Sequence, residues 1–254
     1  MSKIMHAQQT VHLGLHHMER LSPMDPFRSA FNRVHREGIP FVLIAFGLAA
    51  LFMIFLSETL GWIFIVLGLY IVYFFRDPVR MTPLLPDALI SPADGVVSKI
   101  DEAAPPADLE MGDGPLTRIS IFLSVLNVHV NRVPCEGSIS KLVYVPGKFI
   151  NASLDKASED NERQLVRLDR ADGRSVAFVQ IAGLIARRIV CSLDVGQNVV
   201  AGERFGIIRF GSRMDVYCPK GMEPVIAVGQ TVVGGETILA TDDAVNPRPD
   251  GRAD

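Results

Sequence analysis

The sequence predicts a mainly β domain of the α+β class, a strand-rich sandwich or barrel, preceded by an N-terminal hydrophobic helical hairpin. Three observations predict it. From Asp87 onward, short apolar stretches alternate with Gly, Pro and Asp turns, and little helical periodicity is present. The run Val195-Gly196-Gln197-Asn198-Val199-Val200-Ala201-Gly202-Glu203 recurs as Val228-Gly229-Gln230-Thr231-Val232-Val233-Gly234-Gly235-Glu236. Each copy is a glycine turn, a short apolar strand and a second glycine turn, which suits two similar hairpins in one sandwich or barrel. Before all this, Ile39–Phe75 holds two apolar runs parted by Ser57-Glu58-Thr59.

In chain order, residues 1–38 read as an N-terminal arm without a core of its own. His12, His16 and His17 include a helical i, i+4 spacing, but the arm lacks other convincing ligands, so no metal is expected. Residues 39–75 read as a membrane hairpin. At about 1.5 Å per residue, Ile39–Leu56 just crosses a hydrocarbon core, and Leu60–Phe75 is marginal. Arg28, Arg33 and Arg36 precede the pair, Arg76 and Arg80 follow it, and the link has no Lys or Arg. The positive-inside rule then puts both ends in the cytoplasm; a shallow re-entrant hairpin is the alternative. The run is too long and begins too late for a signal peptide, and no small-residue cleavage site follows it. Residues 76–254 form the domain that carries chemistry.

Composition agrees with a lipid-facing protein. Hydrophobic residues make up 48% of the 254, above what a soluble domain needs. A net charge of −3 provides no basic field for nucleic acid. Cys135, Cys191 and Cys218 contain no Cys-x-x-Cys pair, so neither a disulfide framework nor a zinc site is expected. They read as small buried residues in a reducing compartment.

Three places carry candidate chemistry. Gly211-Ser212 lies between strand-like stretches, where glycine admits strained backbone and leaves its own carbonyl unshielded beside the serine hydroxyl. Alone, the pair is an ordinary turn dipeptide. Of six histidines, five (His6, His12, His16, His17, His35) precede the hairpin, so a histidine base in the globular part must be His129. Alternation places Asn127, His129 and Asn131 on one face and Val128 and Val130 on the other. An imidazole titrating near neutrality suits proton transfer. Asp94 sits in Ser91-Pro92-Ala93-Asp94-Gly95, either as a structural turn residue or as the group that orients His129.

At these residues the chain resembles the phosphatidylserine decarboxylase proenzymes, in their short bacterial form. The resemblance runs through Ser91–Val97, Asn127–Pro134, Val145–Phe149 with Asn151–Ala157, Gln180–Cys191 and Gly202–Pro219. One feature separates the branches: long forms carry Leu-Gly-Ser-Thr where this chain has Phe210-Gly211-Ser212-Arg213. The resemblance implies autocatalytic serinolysis at the cleavage site Gly211-Ser212. This would convert Ser212 to a pyruvoyl group and yield a large chain, 1–211, and a small chain, 212–254, that stay together as a heterodimer. A Schiff base between the pyruvoyl and the substrate amine would then drive decarboxylation of phosphatidylserine to phosphatidylethanolamine. No external cofactor is implied. Asp94, His129 and Ser212 are the implied catalytic residues, and the cytoplasmic side of the cell inner membrane is the implied location.

The phospholipid headgroup needs cationic or N–H donors, for which Arg132, Lys148, Arg187 and Arg188 are the candidates. A rival reading comes from the repeated Gly-Gln-x-Val-x-x-Gly-Glu units, which look like those of biotinyl and lipoyl carrier domains. In those carriers the modified lysine lies at the tip between half-repeats. Here the equivalent place holds Gly211-Ser212, and no lysine occurs until Lys220; Lys156 belongs to a charge-rich stretch elsewhere. A swinging-arm carrier, or a membrane-anchored structural protein, leaves the coincidence of Asp94, His129 and Ser212 unexplained.

Overall fold

The computed structural model describes residues 33–147, 160–183, 188–209 and 212–242. The two apolar runs form helices α1 (Ile39–Phe55) and α2 (Glu58–Phe74). The break between them is shorter than expected, only Leu56 and Ser57. Ser57 is extended and its carbonyl accepts from the Gly61 N–H at 3.1 Å, so Glu58 and Thr59 already belong to the first turn of α2. Small residues bring the helices together. A Cβ on Gly61 would lie 2.1 Å from Cγ of Met53, and one on Gly68 would lie 3.0 Å from the Phe46 ring. Phe52 stacks on Phe64 at 5.1 Å. Leu43, Ile44, Ile54 and Val66 point outward and are more than half exposed, so the hairpin is apolar on its outer faces too. By length and composition the helical stretch Arg36–Phe55 suffices to cross a membrane, whereas Glu58–Phe74 is shorter.

From Ala88 the chain makes β1 (Ala88–Ile90), β2 (Gly95–Ala103), β3 (Leu116–Leu123), β4 (Val130–Arg132), β5 (Gly137–Val145), β6 (Arg163–Asp169) and β7 (Ser175–Ala182). It continues through β8 (Ile189–Cys191), β9 (Asn198–Val199), β10 (Arg204–Ile208), β11 (Ser212–Tyr217), β12 (Glu223–Pro224), β13 (Thr231–Val232) and β14 (Ile238–Thr241). The expected mainly β architecture is observed. One curled antiparallel sheet has the order β9-β5-β6-β7-β11-β3-β2-β13, and two small sheets have the orders β8-β10-β4 and β12-β14-β1.

The sequence repeat is a structural repeat, with a different geometry from a hairpin. Each copy supplies one short edge strand of the main sheet and then turns into a small sheet. The first copy pairs Asn198 with Ser138 and Val199 with Gly137; the second pairs Thr231 with Val96 and Val232 with Gly95. The two copies therefore close opposite edges of the same sheet. Their glycines adopt matching left-handed conformations, φ +86° and +89° at Gly196 and Gly229, then +77° and +82° at Gly202 and Gly235. The repeat extends to their partners. Ile90 N–H donates to the Pro134 carbonyl at 2.8 Å, and Arg132 N–H donates to the Pro92 carbonyl at 2.9 Å. Pro92-Ala93-Asp94-Gly95 and Pro134-Cys135-Glu136-Gly137 thus occupy equivalent corners.

The main core lies between the curled sheet and the small sheets. It includes Val97, Ile121, Ile139, Val166, Phe178 and Met214 from the large sheet and Leu89, Phe205 and Leu239 from the small ones. Phe178 meets Phe205 edge-on at 5.1 Å. A second cluster on the other face gathers Leu165, Val179, Ile181 and Tyr217 under Leu109. Central β11 is buried on both faces. Cys135 and Cys218 lie in the main core, and burial pushes both thiols up to about 12.

Candidate active site

Register brings the three chemical segments to one end of the sheets. Ser212 opens β11 and pairs with Leu123, the last residue of β3, and with Ala182, the last residue of β7. Val96, next to the first residue of β2, pairs with Phe122. The start of β2, the end of β3 and the start of β11 therefore coincide, and the Asp94 turn precedes the first of these. The segment bearing His129 leaves the end of β3 and enters β4. Its other neighbour is β10: the Ile208 N–H donates to the His129 carbonyl at 3.4 Å, four residues before Ser212. Gly95 is required at this corner, since a Cβ there would lie 2.3 Å from the Phe122 carbonyl oxygen.

Ser212 is fully buried, and among the described residues its Oγ has no hydrogen-bond partner. The strand around it is firmly held. Arg213 forms a bidentate pair with Asp215, 2.8 Å from Nε and 2.8 Å from Nη2, with both side chains buried. These two point away from Ser212, because side chains alternate along β11.

His129 is fully buried. Burial is the main reason its imidazole is lowered to about 4; the positive charge of Arg76 acts in the same sense, and the Asn127 carbonyl acts against both. The imidazole is therefore neutral at neutral pH. Nδ1 lies 3.0 Å from the Asn127 carbonyl, which can only accept, so Nδ1 carries the proton and the lone pair is on Nε2.

Asp94 does not orient His129 in this structure. Its Oδ2 receives Nη2 of Arg80 at 2.7 Å and its Oδ1 receives the Gly234 N–H at 2.8 Å. The carboxylate is drawn to the nearest cation and to a backbone donor that lies close because Gly234 has no Cβ; one built there would be 2.9 Å from the Ala93 carbonyl carbon. Burial nevertheless raises the Asp94 carboxyl above its ordinary range, with Arg80 opposing the rise.

The headgroup candidates separate. Arg132 is buried, and its guanidinium donates to the Gly202 carbonyl (2.9 Å) and the Pro78 carbonyl (2.9 Å), with Asp77 at 3.6 Å. A buried guanidinium bonded to carbonyls from two turns acts as a structural staple. Arg188 is exposed, and its carbonyl accepts from the Arg209 N–H at 3.3 Å, beside the chain running toward Ser212. Gly211, Lys148 and Arg187, the arm with His6, His12, His16 and His17, and the Asn151–Ala157 stretch with Lys156 lie outside the described residues.

The sequence reading missed three residues at this end. Arg76 and Arg80 read only as cations flanking an apolar run, yet Arg80 pairs with Asp94 and Nη2 of Arg76 donates to the Leu126 carbonyl at 2.9 Å. Gln180 donates to Oδ1 of Asn131 at 2.9 Å, with both side chains fully buried. Gln180 shares the Ser212 face of the sheet, since it pairs with Met214 two residues along. A glutamine inside the apolar run Val176–Ala182 was the available signal for this pair.

A buried serine at the head of a strand shares one end of the fold with a desolvated imidazole and a part-buried carboxylate, groups suited to nucleophilic and proton-transfer chemistry. The profile of the family described as phosphatidylserine decarboxylase matches residues 67–240. A Cereibacter sphaeroides phosphatidylserine decarboxylase proenzyme is 51% identical over 230 residues, which cover 91% of this chain and 99% of that protein. Proteins of the same name from Paramagnetospirillum magneticum and Ruegeria pomeroyi are 56% identical over 211 residues and 54% identical over 207. These alignments cover 83% and 82% of this chain, and 88% and 94% of the relatives. The chain belongs to the phosphatidylserine decarboxylase family, a family of carboxy-lyases.

Proposed function

We propose that this chain cleaves itself between Gly211 and Ser212 and then decarboxylates phosphatidylserine to phosphatidylethanolamine at the cytoplasmic face of the inner membrane. The observation that carries the reading is the buried Oγ of Ser212 at the head of β11, without a hydrogen-bond partner among the described residues. Neutral His129 accepts the Oγ proton through Nε2 while Oγ attacks the Gly211 carbonyl carbon. The C–O bond forms, the C–N bond to Ser212 breaks, and the released amine takes the proton. Removal of the Ser212 α-proton then expels the Gly211 carboxylate and leaves dehydroalanine at position 212. Water replaces its nitrogen, ammonia departs and a pyruvoyl carbonyl remains.

The pyruvoyl group suits the position, because Ser212 is enclosed and, among the described residues, its oxygen has no competing partner. When formed, it supplies an electrophile for the substrate amine and an electron sink for loss of the carboxylate. His129 is the proton donor to the carbon left behind, and Asp94 with Arg80 sets the local charge. Arg188, with Lys148 and Arg187, contacts the phosphate. The pairing of β11 with β3 and β7 keeps the small chain, 212–254, in the sheet of the large chain, 1–211. The outward apolar faces of α1 and α2 hold the site against lipid.

Intact mass under denaturing conditions, beside a Ser212→Ala variant, tests the reading. Two chains are expected, the small one lighter by one ammonia than a fragment starting with serine, and the variant stays whole. The split protein releases carbon dioxide from phosphatidylserine vesicles. A folded wild-type chain that remains intact refutes the proposal.

A further inference from the structure

The last residue of α2 is Phe74, and its ring covers the imidazole of His129. The centroids are 4.2 Å apart and the planes are inclined by 30°. Both side chains are fully buried. Phe75 meets Phe74 edge-on at 5.0 Å and stacks on Phe41 of α1 at 5.8 Å. A continuous set of rings thus runs from both helices to His129. Val128 and Val130, on either side of His129, pack with Phe74, Phe75 and Ile207 in one cluster.

Polar contacts tie the same two parts. The Tyr70 hydroxyl donates to the Val125 carbonyl at 3.2 Å, and Arg76 donates to the Leu126 carbonyl at 2.9 Å. Arg76 is itself held by the Tyr73 carbonyl at 2.8 Å and lies 3.8 Å above the Tyr73 ring. The hairpin entry is fixed to its exit by the His35 N–H, which donates to the Phe75 carbonyl at 2.7 Å. An anchor needs only apolar length and a tether. This hairpin end instead reaches the loop of His129 at three places.

We propose that Phe74 is a positioning residue for His129, so that the hairpin end is a wall of the reaction centre and its seating in a lipid bilayer governs the imidazole's orientation and hydration. This rests on the proton-transfer role given to His129 above. The ring shields one face of the imidazole from water and restricts its rotation, and the low-dielectric contact disfavours the charged form. Among the described residues, the imidazole meets the Asn127 carbonyl of its own loop and the Phe74 ring, and the charge of Arg76 acts on it. The outward residues of both helices are apolar and exposed, so only a lipid phase holds the hairpin in place without exposing those faces to water.

The test uses full-length protein in phosphatidylcholine–phosphatidylglycerol vesicles. In the uncleavable Ser212→Ala background, the His129 ring is titrated by NMR, assigned by the signal lost in His129→Gln. Phe74→Ala is expected to raise the titration by at least one unit, about tenfold in proton affinity. Phe74→Leu, which keeps the site dry, holds it near the wild-type value, and Val66→Ala on the lipid-facing side leaves it unchanged. With Ser212 restored, Phe74→Ala slows self-cleavage by about tenfold or more, and Phe74→Leu recovers most of the rate. Should Phe74→Ala fail to fold, Phe74→Leu decides through its rate at low lipid: slower cleavage than wild type supports the proposal, an equal rate overturns it. Folded Phe74→Ala with wild-type titration and rate also overturns it. A wild-type chain that does not cleave would refute the self-processing reading instead, and the titration would still decide the role of Phe74.

Discussion

Replacing His129 by Gln in the Ser212→Ala precursor should change how stability depends on pH. Burial lowers the imidazole from 6.5 to about 4 in the folded protein, whereas the unfolded chain keeps the ordinary value. Between those values the unfolded state binds a proton that the native state does not, so stability rises with pH. The contribution is fully present above 6.5 and is lost as pH falls toward about 4. At about 1.4 kcal/mol per unit, the whole interval is worth about 3 kcal/mol. Urea unfolding in mild detergent between about pH 4.5 and 8 measures it, one protein against the other. His35, also lowered by burial, contributes equally to both proteins and cancels. Asp94 cancels too, although its raised carboxyl acts in the opposite sense, losing stability as pH rises through its folded value. The precursor should lose about 2–3 kcal/mol more than the Gln variant on acidification. Equal slopes would mean that His129 is hydrated, and the neutral-base argument would fail.

Two further outcomes follow from buried charges. Asp215→Asn removes the carboxylate charge from the buried pair with Arg213, next to Ser212, and should cost about 3–5 kcal/mol in a thermal melt of the precursor. Replacing both partners by apolar residues should recover much of that loss, and a double-mutant cycle reads it directly. Arg132→Ala removes donors from the Gly202 and Pro78 carbonyls and should lower stability by about 2–4 kcal/mol, while the KM of the processed enzyme for phosphatidylserine stays unchanged. A raised KM with unchanged stability would restore Arg132 to the headgroup site.

Local signals in the sequence determined the element types of this protein and singled out its candidate reactive residues. Apolar length specified the two helices, since nothing short of a helix satisfies the backbone of such a run away from water. Glycine at fixed offsets specified the repeated corners, because their left-handed turns and close approaches exclude a Cβ at Gly95, Gly202 and Gly235. Scarcity singled out His129, and the flanks of Gly211-Ser212 singled out the serine. Tertiary structure alone decided the partners. Two nine-residue repeats read as hairpins until pairing sent one to each edge of the main sheet. The sequence offered Asp94 and Arg132 without their partners, which the fold supplies as Arg80 for the first and carbonyls from two distant turns for the second. The helix end was an anchor in sequence and a wall over His129 in space. Partner choice depends on which chemically compatible group the packed fold brings within about 3 Å, and that distance is set by residues far apart in the chain.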